Sequence, residues 1–298
     1  MACQRAVGAA KAAWTKRGRH DNNQTPKQDL RLLQRLEMLN KIFNENCLDT
    51  MARMPDGLID LTVTSPPYDN LRDYNGYSFD FEAVAAELYR VTKDGGVVVW
   101  VVGDSTVKGS ESGTSFRQAL HFKELGFNLH DTMIYQKHNF SNPSSNRYHQ
   151  IFEFMFVLSR GKPATFNPIK DRRNIEANKV GSWGKNTSRQ QDGSFVERAK
   201  KVNTEFGMRY NIWRMKTEMR PLHPAPFPES LANDHILTWS NRGDIVYDPF
   251  MGSGTTAIVA VQNNRNYIGS EISKDYVDIC TKRLSAIRRG QNDLCNYT

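Results

Sequence analysis

The run VVVWVV at residues 97–102 constrains the fold more than any other stretch of the chain. Six consecutive apolar residues, five of them β-branched, have no polar face to offer water. They predict a strand covered on both sides, as in a parallel sheet flanked by helices. The neighbouring segments repeat the pattern. IDLTV (59–63) is a short apolar strand, and FDFEAVAAELYRVT (79–92) is a helix stopped by Asp94-Gly95-Gly96. FRQALHFKELGF (116–127) is a helix; NLHDTMIYQ (128–136) and FEFMFVL (152–158) are strands. After a proline-rich entry over 221–240 leading into a helix come a strand at 244–250 (DIVYDPF), a turn and helix at 252–264, a strand at 266–273 and a helix at 274–289. At the start, Leu30, Leu33, Leu36, Leu39 and Ile42 share a helical face, so a helix is predicted over 29–42 and a short strand over 43–47. Alternating strands and helices argue for a doubly wound α/β sheet.

Two strand ends carry unusual chemistry. The first is TSPPY, residues 64–68. Two prolines stop the strand and stiffen the loop after it, leaving a hydroxyl on one side and an aromatic ring on the other. The second is DPFMGSGTTA, residues 248–257, a glycine-rich turn that opens a helix. Glycines let backbone approach a ligand closely, and a helix N-terminus offers free N–H groups. Gly252-x-Gly254-x-x-Ala257 meets a dinucleotide fingerprint loosely, and Glu271 ends the next strand, where an acid accepts hydrogen bonds from ribose hydroxyls. A phosphate loop is excluded because GSGTT has no Gly-Lys-Ser/Thr. A nicotinamide dinucleotide and an adenosyl ligand without pyrophosphate, S-adenosylmethionine, both remain open; in the latter case Asp248 lies near the cationic methionine end.

Charge distribution points to a polyanion. The net charge is +8, but residues 1–41 carry +6 and residues 160–220 carry +9, which leaves −7 for the rest. Such concentration suits nucleic acid. Arg5, Lys11, Lys16, Arg17 and Arg19 stand without an acid in the first twenty residues, the pattern of a DNA-contacting arm or a tail, with a transit peptide as the alternative. No apolar run is long enough to span a membrane, and no continuous apolar stretch marks a secretory signal. The four cysteines have no CxxC spacing and define neither a zinc site nor a disulfide framework.

Taken in order, TSPPY, VVVWVVGD, FEFMFVLSRG, HPAPFPESL, DPFMGSGTT and YIGSEIS resemble the amino-methyltransferases that modify exocyclic nitrogens of DNA bases. The catalytic motif precedes the cofactor motif with a basic stretch between them, which is similar to the β group of that family. The resemblance spans roughly residues 43–289. It implies a Rossmann-like, circularly permuted S-adenosylmethionine-dependent methyltransferase fold, with a mostly parallel seven-stranded sheet. The expected organisation is a basic arm and helix (1–42), a catalytic half (43–160), a target-recognition insertion (161–220) and a cofactor-binding half (221–298).

The resemblance also implies roles. Ser65, Pro66, Pro67 and Tyr68 form the catalytic loop, with the Ser65 side chain and the Pro66 carbonyl accepting from the target amine and Tyr68 stacking on a base flipped out of the duplex. That amine is a poor nucleophile because its lone pair is delocalised into the ring, and acceptors aimed at its hydrogens counter this. The cofactor S-adenosyl-L-methionine is held by Asp248, Phe250, Gly252, Ser253, Gly254, Thr255, Thr256, Glu271, Asn46 and His223. Many relatives have Gly-Asp-Cys where this chain has Glu45-Asn46-Cys47, so Asn46 replaces an acid. Arg172, Arg173, Lys185, Arg189, Lys200 and Lys201 are the candidate DNA contacts, and the polar loop 137–149 is a second candidate. Serine in the first position of the loop, and HPAPFPESL, favour cytosine N4 over adenine N6; a catalytically silent DNA-binding protein is the reading of another class. Ring methylation at C5 is excluded, since none of the cysteines follows a proline. The chemistry requires no metal. Double-stranded DNA, a homodimer and a cognate restriction endonuclease are the expected partners. The expected place is the cytoplasm and nucleoid in a prokaryote or phage, or the nucleus in a eukaryote.

Overall fold

The computed structural model describes residues 27–67, 79–140, 143, 145–175, 177–178, 187–197, 202–216 and 227–288. Among these, eight strands form the main sheet: β1 (Lys41–Phe43), β2 (Ile59–Thr64), β3 (Thr92–Val102), β4 (Asn128–Lys137), β5 (Phe152–Ser159), β6 (Ile212–Met215), β7 (Ile245–Asp248) and β8 (Asn266–Ser270). The helices are α1 (Lys27–Met38), α2 (Cys47–Ala52), α3 (Phe81–Val91), α4 (Thr114–Glu124), α5 (Glu229–Trp239), α6 (Thr255–Gln262) and α7 (Lys274–Arg288). The order across the sheet is β1-β8-β7-β2-β3-β5-β4-β6. Only β5 opposes its neighbours, β3 and β4; every other adjacent pair is parallel.

The apolar run is the buried half of β3. Val97 to Val102 are all buried, in register with Leu61–Thr64 on one side and Phe154–Ser159 on the other. Val98, Trp100 and Val102 alternate onto one face, where they join Met51, Val84, Leu88, Phe122, Phe156 and Tyr247 in a single core cluster. Helix α3 presents Val84, Ala85, Leu88 and Val91 to that core, and its start is capped by Asp80, whose carboxylate accepts from the Ala83 N–H at 3.1 Å. Helices α5 and α6 pack on each other, and α5 packs on β2.

The first elements differ from the sequence expectation. The helix predicted over 29–42 stops at Met38, because Asn40 adopts a left-handed φ of 60°. The Asn40 amide N–H then donates to the Tyr267 carbonyl at 2.7 Å and its side chain donates to Asn266 Oδ1 at 3.0 Å. This turns Lys41–Phe43 into a parallel ladder with Ile268–Ser270. The strand expected at 43–47 therefore lies at 41–43, and Cys47 already begins α2. The sheet also has one strand more than the seven expected. Residues 212–215, assigned by composition to the insertion at 161–220, run parallel beside Ile134–Lys137, with Trp213 and Met215 buried and Ile212 and Arg214 exposed.

The structure resolves into two compact units, Asn167–Asn211 and the remainder. Within the smaller one, Arg172–Arg173 pairs antiparallel with Phe206–Gly207, and Thr187–Arg189 with Phe195–Glu197. No described helix is long and apolar enough to cross a membrane.

Candidate functional site

The strand ends that carry the unusual chemistry come together. In parallel strands the C-terminal ends share one edge, and β2, β3, β7 and β8 are neighbours. Ser65-Pro66-Pro67 leaves β2 at that edge and the glycine-rich turn leaves β7, with Glu271 at the tip of β8. Such an edge, outside the carboxyl ends of the strands, is where open α/β sheets bind ligands.

The turn is built from close contacts. Gly252 (φ 52°) donates its N–H to Glu271 Oε2 at 2.7 Å, and the other Glu271 oxygen accepts from Ser273 N at 2.8 Å. Burial pushes the Glu271 carboxyl above its ordinary range, against the backbone donors that favour the anion. Gly254 (φ 92°) sits against α7 so tightly that a Cβ there would lie 2.0 Å from Cys280 Sγ. Ser253 is buried, and its carbonyl accepts from Arg283 at 2.8 Å. Arg283 also pairs with Glu229 at 2.6 Å, so one guanidinium ties the turn to α7 and to the start of α5. Replacing Arg283 with Ala leaves the Ser253 carbonyl and Glu229 unpartnered in a half-buried place. The expected loss is roughly 2–3 kcal/mol of stability, read as a lowered urea midpoint with unchanged m; an unchanged midpoint would show that the clamp is idle.

Phe250 is half-buried, with the rings of Phe79 at 5.3 Å and Trp100 at 6.3 Å set edge-on against it. Thr255 and Thr256 begin α6 and are buried. Asn46 caps α2, its Oδ1 accepting from Leu48 N at 2.9 Å. Neighbouring Glu45 accepts from Thr50 Oγ1 at 2.6 Å and pairs with Arg53. Asp104, which ends the VVVWVVGD stretch, accepts from Ser112 Oγ at 3.1 Å and Ser115 N at 2.9 Å, bracing the start of α4. His223 and Tyr68 lie outside the described residues.

Asp248 ends β7 just before the glycine-rich turn. It is 2% exposed, and its carboxylate is taken up within the chain. Oδ1 accepts from Thr64 Oγ1 at 2.7 Å and Phe250 N at 3.0 Å, and Oδ2 accepts from Thr256 Oγ1 at 2.8 Å. Burial raises its pKa to about 6, opposed by these hydrogen bonds and assisted by the charge on Glu271. The sign of the effect on stability comes from linkage. An unfolded aspartate titrates near ~3.9, so between about pH 4 and 6 the folded state holds a proton that the unfolded state has lost. This stabilising difference is present in full below the unfolded pKa and is lost as pH rises through the folded one. In Asp248→Asn the stability curve over that window is expected to be flatter than in the wild type, by urea titration at each pH. Parallel curves would place the buried charge elsewhere. Glu271 contributes in the same direction in both proteins.

In the smaller unit the Arg172 guanidinium lies over the Tyr210 ring at 4.8 Å and donates to the Met208 carbonyl at 3.0 Å, while Arg209 pairs with Asp171. Arg173 and Arg189 are exposed. Lys185, Lys200 and Lys201 lie outside the described residues.

Sequence reasoning passed over Thr64 and Arg283. Thr64 opens TSPPY, next to the more conspicuous serine. Arg283 had no local signal.

A glycine-rich turn, a strand-end acid and a proline-stiffened loop thus stand together at the sheet edge where open α/β sheets bind ligands. The chain belongs to the N6/N4 DNA methylase family, whose family model matches residues 59–282. It is similar to the orphan methyltransferase M.BamHII of Bacillus amyloliquefaciens, at 62% identity over 77% of this chain and 89% of that protein. The type II methyltransferase M.Cfr9I of Citrobacter freundii is 26% identical over 82% of this chain and 87% of its own. Among solved structures, the cytosine-N4-specific PvuII DNA methyltransferase matches with a TM-score of 0.61 at 20% identity, over 87% of each chain. The protein is thus a DNA methyltransferase whose cofactor is S-adenosyl-L-methionine.

Proposed function

We propose that this methyltransferase acts on the exocyclic N4 of cytosine in double-stranded DNA, with Ser65, Pro66, Pro67 and Tyr68 as its catalytic loop. The observation that carries the reading is the serine at the head of a proline-locked loop leaving β2 beside the glycine-rich turn. The turn residues Gly252, Ser253 and Gly254, the start of α6 and Glu271 suit the adenosyl cofactor: a turn with little side chain leaves β7, and an acid closes the neighbouring strand. Bound there, S-adenosylmethionine would supply an electrophilic methyl group, with S-adenosylhomocysteine as the leaving group and one amine proton released to solvent. The chain's own part is alignment and polarisation. The Ser65 hydroxyl and the Pro66 carbonyl accept from the two amine hydrogens, drawing the nitrogen lone pair out of the ring. Pro66 and Pro67 lack N–H groups that would compete for those acceptors. Tyr68 offers a ring to the extruded base. Arg173 and Arg189, with the other basic residues of the 161–220 segment, meet phosphates.

Adenine N6 is the second reading, favoured by the breadth of the family itself, which includes both targets. Methyl transfer from labelled cofactor to duplex DNA tests the activity. Label in DNA that is lost in Ser65→Ala supports the assignment; cofactor binding with no transfer to any DNA would support a silent DNA-binding protein instead.

A further inference from the structure

We infer that Asp248 is a positioning residue: with Thr64 and Thr256 it sets where Ser65 and Pro66 stand relative to the Gly252–Gly254 turn. The inference rests on Ser65-Pro66 being the catalytic loop. Three segments meet on this one carboxylate. Thr64 is the last residue of β2 and the one before Ser65, and it is fully buried. Phe250 leads into the turn, and Thr256 lies in the first turn of α6. The Thr256 hydroxyl is also 3.2 Å from the Val63 carbonyl, so it bridges the carboxylate and the backbone of β2.

Physical chemistry makes the junction rigid. A carboxylate with 2% exposure has no water to replace a lost donor, so separating any of the three segments leaves buried polar oxygen unsatisfied. Consecutive Cα atoms are about 3.8 Å apart across a trans peptide, so a shift of Thr64 passes directly to Ser65. Val63 and Thr64 are also fixed laterally by Val99 and Trp100 in β3. The end of β2 is thus held by β3 on one side and by the acid from β7 on the other. An apolar residue at 248 would leave the Thr64 hydroxyl and the Phe250 N–H without their shared acceptor. Asp248 thereby holds the proline loop and the glycine-rich turn together.

The test is a pair of substitutions at Thr64. Thr64→Val keeps the side-chain volume and removes the hydroxyl; Thr64→Ser keeps the hydroxyl and removes a methyl group. Positioning requires Thr64→Val to lower kcat for DNA methylation roughly 10- to 100-fold, the size of effect that small misplacements produce. KM for S-adenosylmethionine stays within about threefold, because the turn retains its own contacts to Glu271 and Arg283. Thr64→Ser restores most of the wild-type kcat. A packing role gives the reverse ranking, with valine harmless and serine impaired, and that result overturns the inference. Wild-type methyl transfer beside an unimpaired Thr64→Val overturns the positioning role alone. Absence of transfer in the wild type overturns it together with the function on which it rests.

Discussion

Ser65→Ala is expected to lower methyl transfer to DNA by roughly 10²–10³-fold while leaving the dissociation constant of S-adenosylmethionine within about twofold. The size reflects the task of the hydroxyl. Removing one preorganised partner from a site where charge develops costs about 3–4 kcal/mol at the transition state. The selectivity for kcat reflects the layout. Ser65 leaves β2, whereas the glycine-rich turn is held by contacts to Ser270 at the end of β8, to Glu271 just beyond it and to Arg283 on α7. Single-turnover methylation and calorimetric cofactor binding on the same preparation read both quantities. Wild-type rates in Ser65→Ala would remove the serine from the reaction.

Gly254→Val is expected to cost several kcal/mol of stability and to abolish measurable cofactor binding. Two penalties add. A β-branched residue at φ 92° is strained by about 1–3 kcal/mol, and its Cβ would lie 2.0 Å from Cys280 Sγ and 3.0 Å from Cys280 Cβ. Relief requires α7 to move away from the turn, which would pull Arg283 off the Ser253 carbonyl. Gly243 is the internal control. Its φ of 87° is nearly the same, yet a Cβ there meets nothing within 4 Å. Gly243→Val should therefore show the backbone strain alone and keep cofactor affinity. Equal losses of urea midpoint in the two variants would show that the Cys280 contact contributes nothing.

The sheet was legible because its strands announce themselves locally. VVVWVV has no polar residue and FEFMFVL only Glu153, and a glycine follows each within three residues. The start of the chain was misread for an equally physical reason. Ile42 continues the helical spacing of Leu30 to Leu39, but its strand partner Gly269 is more than two hundred residues away, and periodicity has no access to a ladder offered from that distance. The site was legible in the same uneven way. The glycine turn and the proline loop were visible as chemistry, and their meeting at one sheet edge is a consequence of parallel topology. The direction of Asp248 was not visible. Its hydroxyl partner Thr64 is 184 residues away in the chain. The addition of β6 was hidden too, since IWRM sits inside a polar, basic stretch and shows its exposed-buried alternation only once beside β4.

Cytosine N4 is the proposed methyl acceptor. Mass spectrometry of nucleosides from DNA incubated with the protein and isotopically labelled S-adenosylmethionine tests it most directly. The expected result is label in N4-methylcytosine, lost in Ser65→Ala. Label in N6-methyladenine, with none in cytosine, would contradict it.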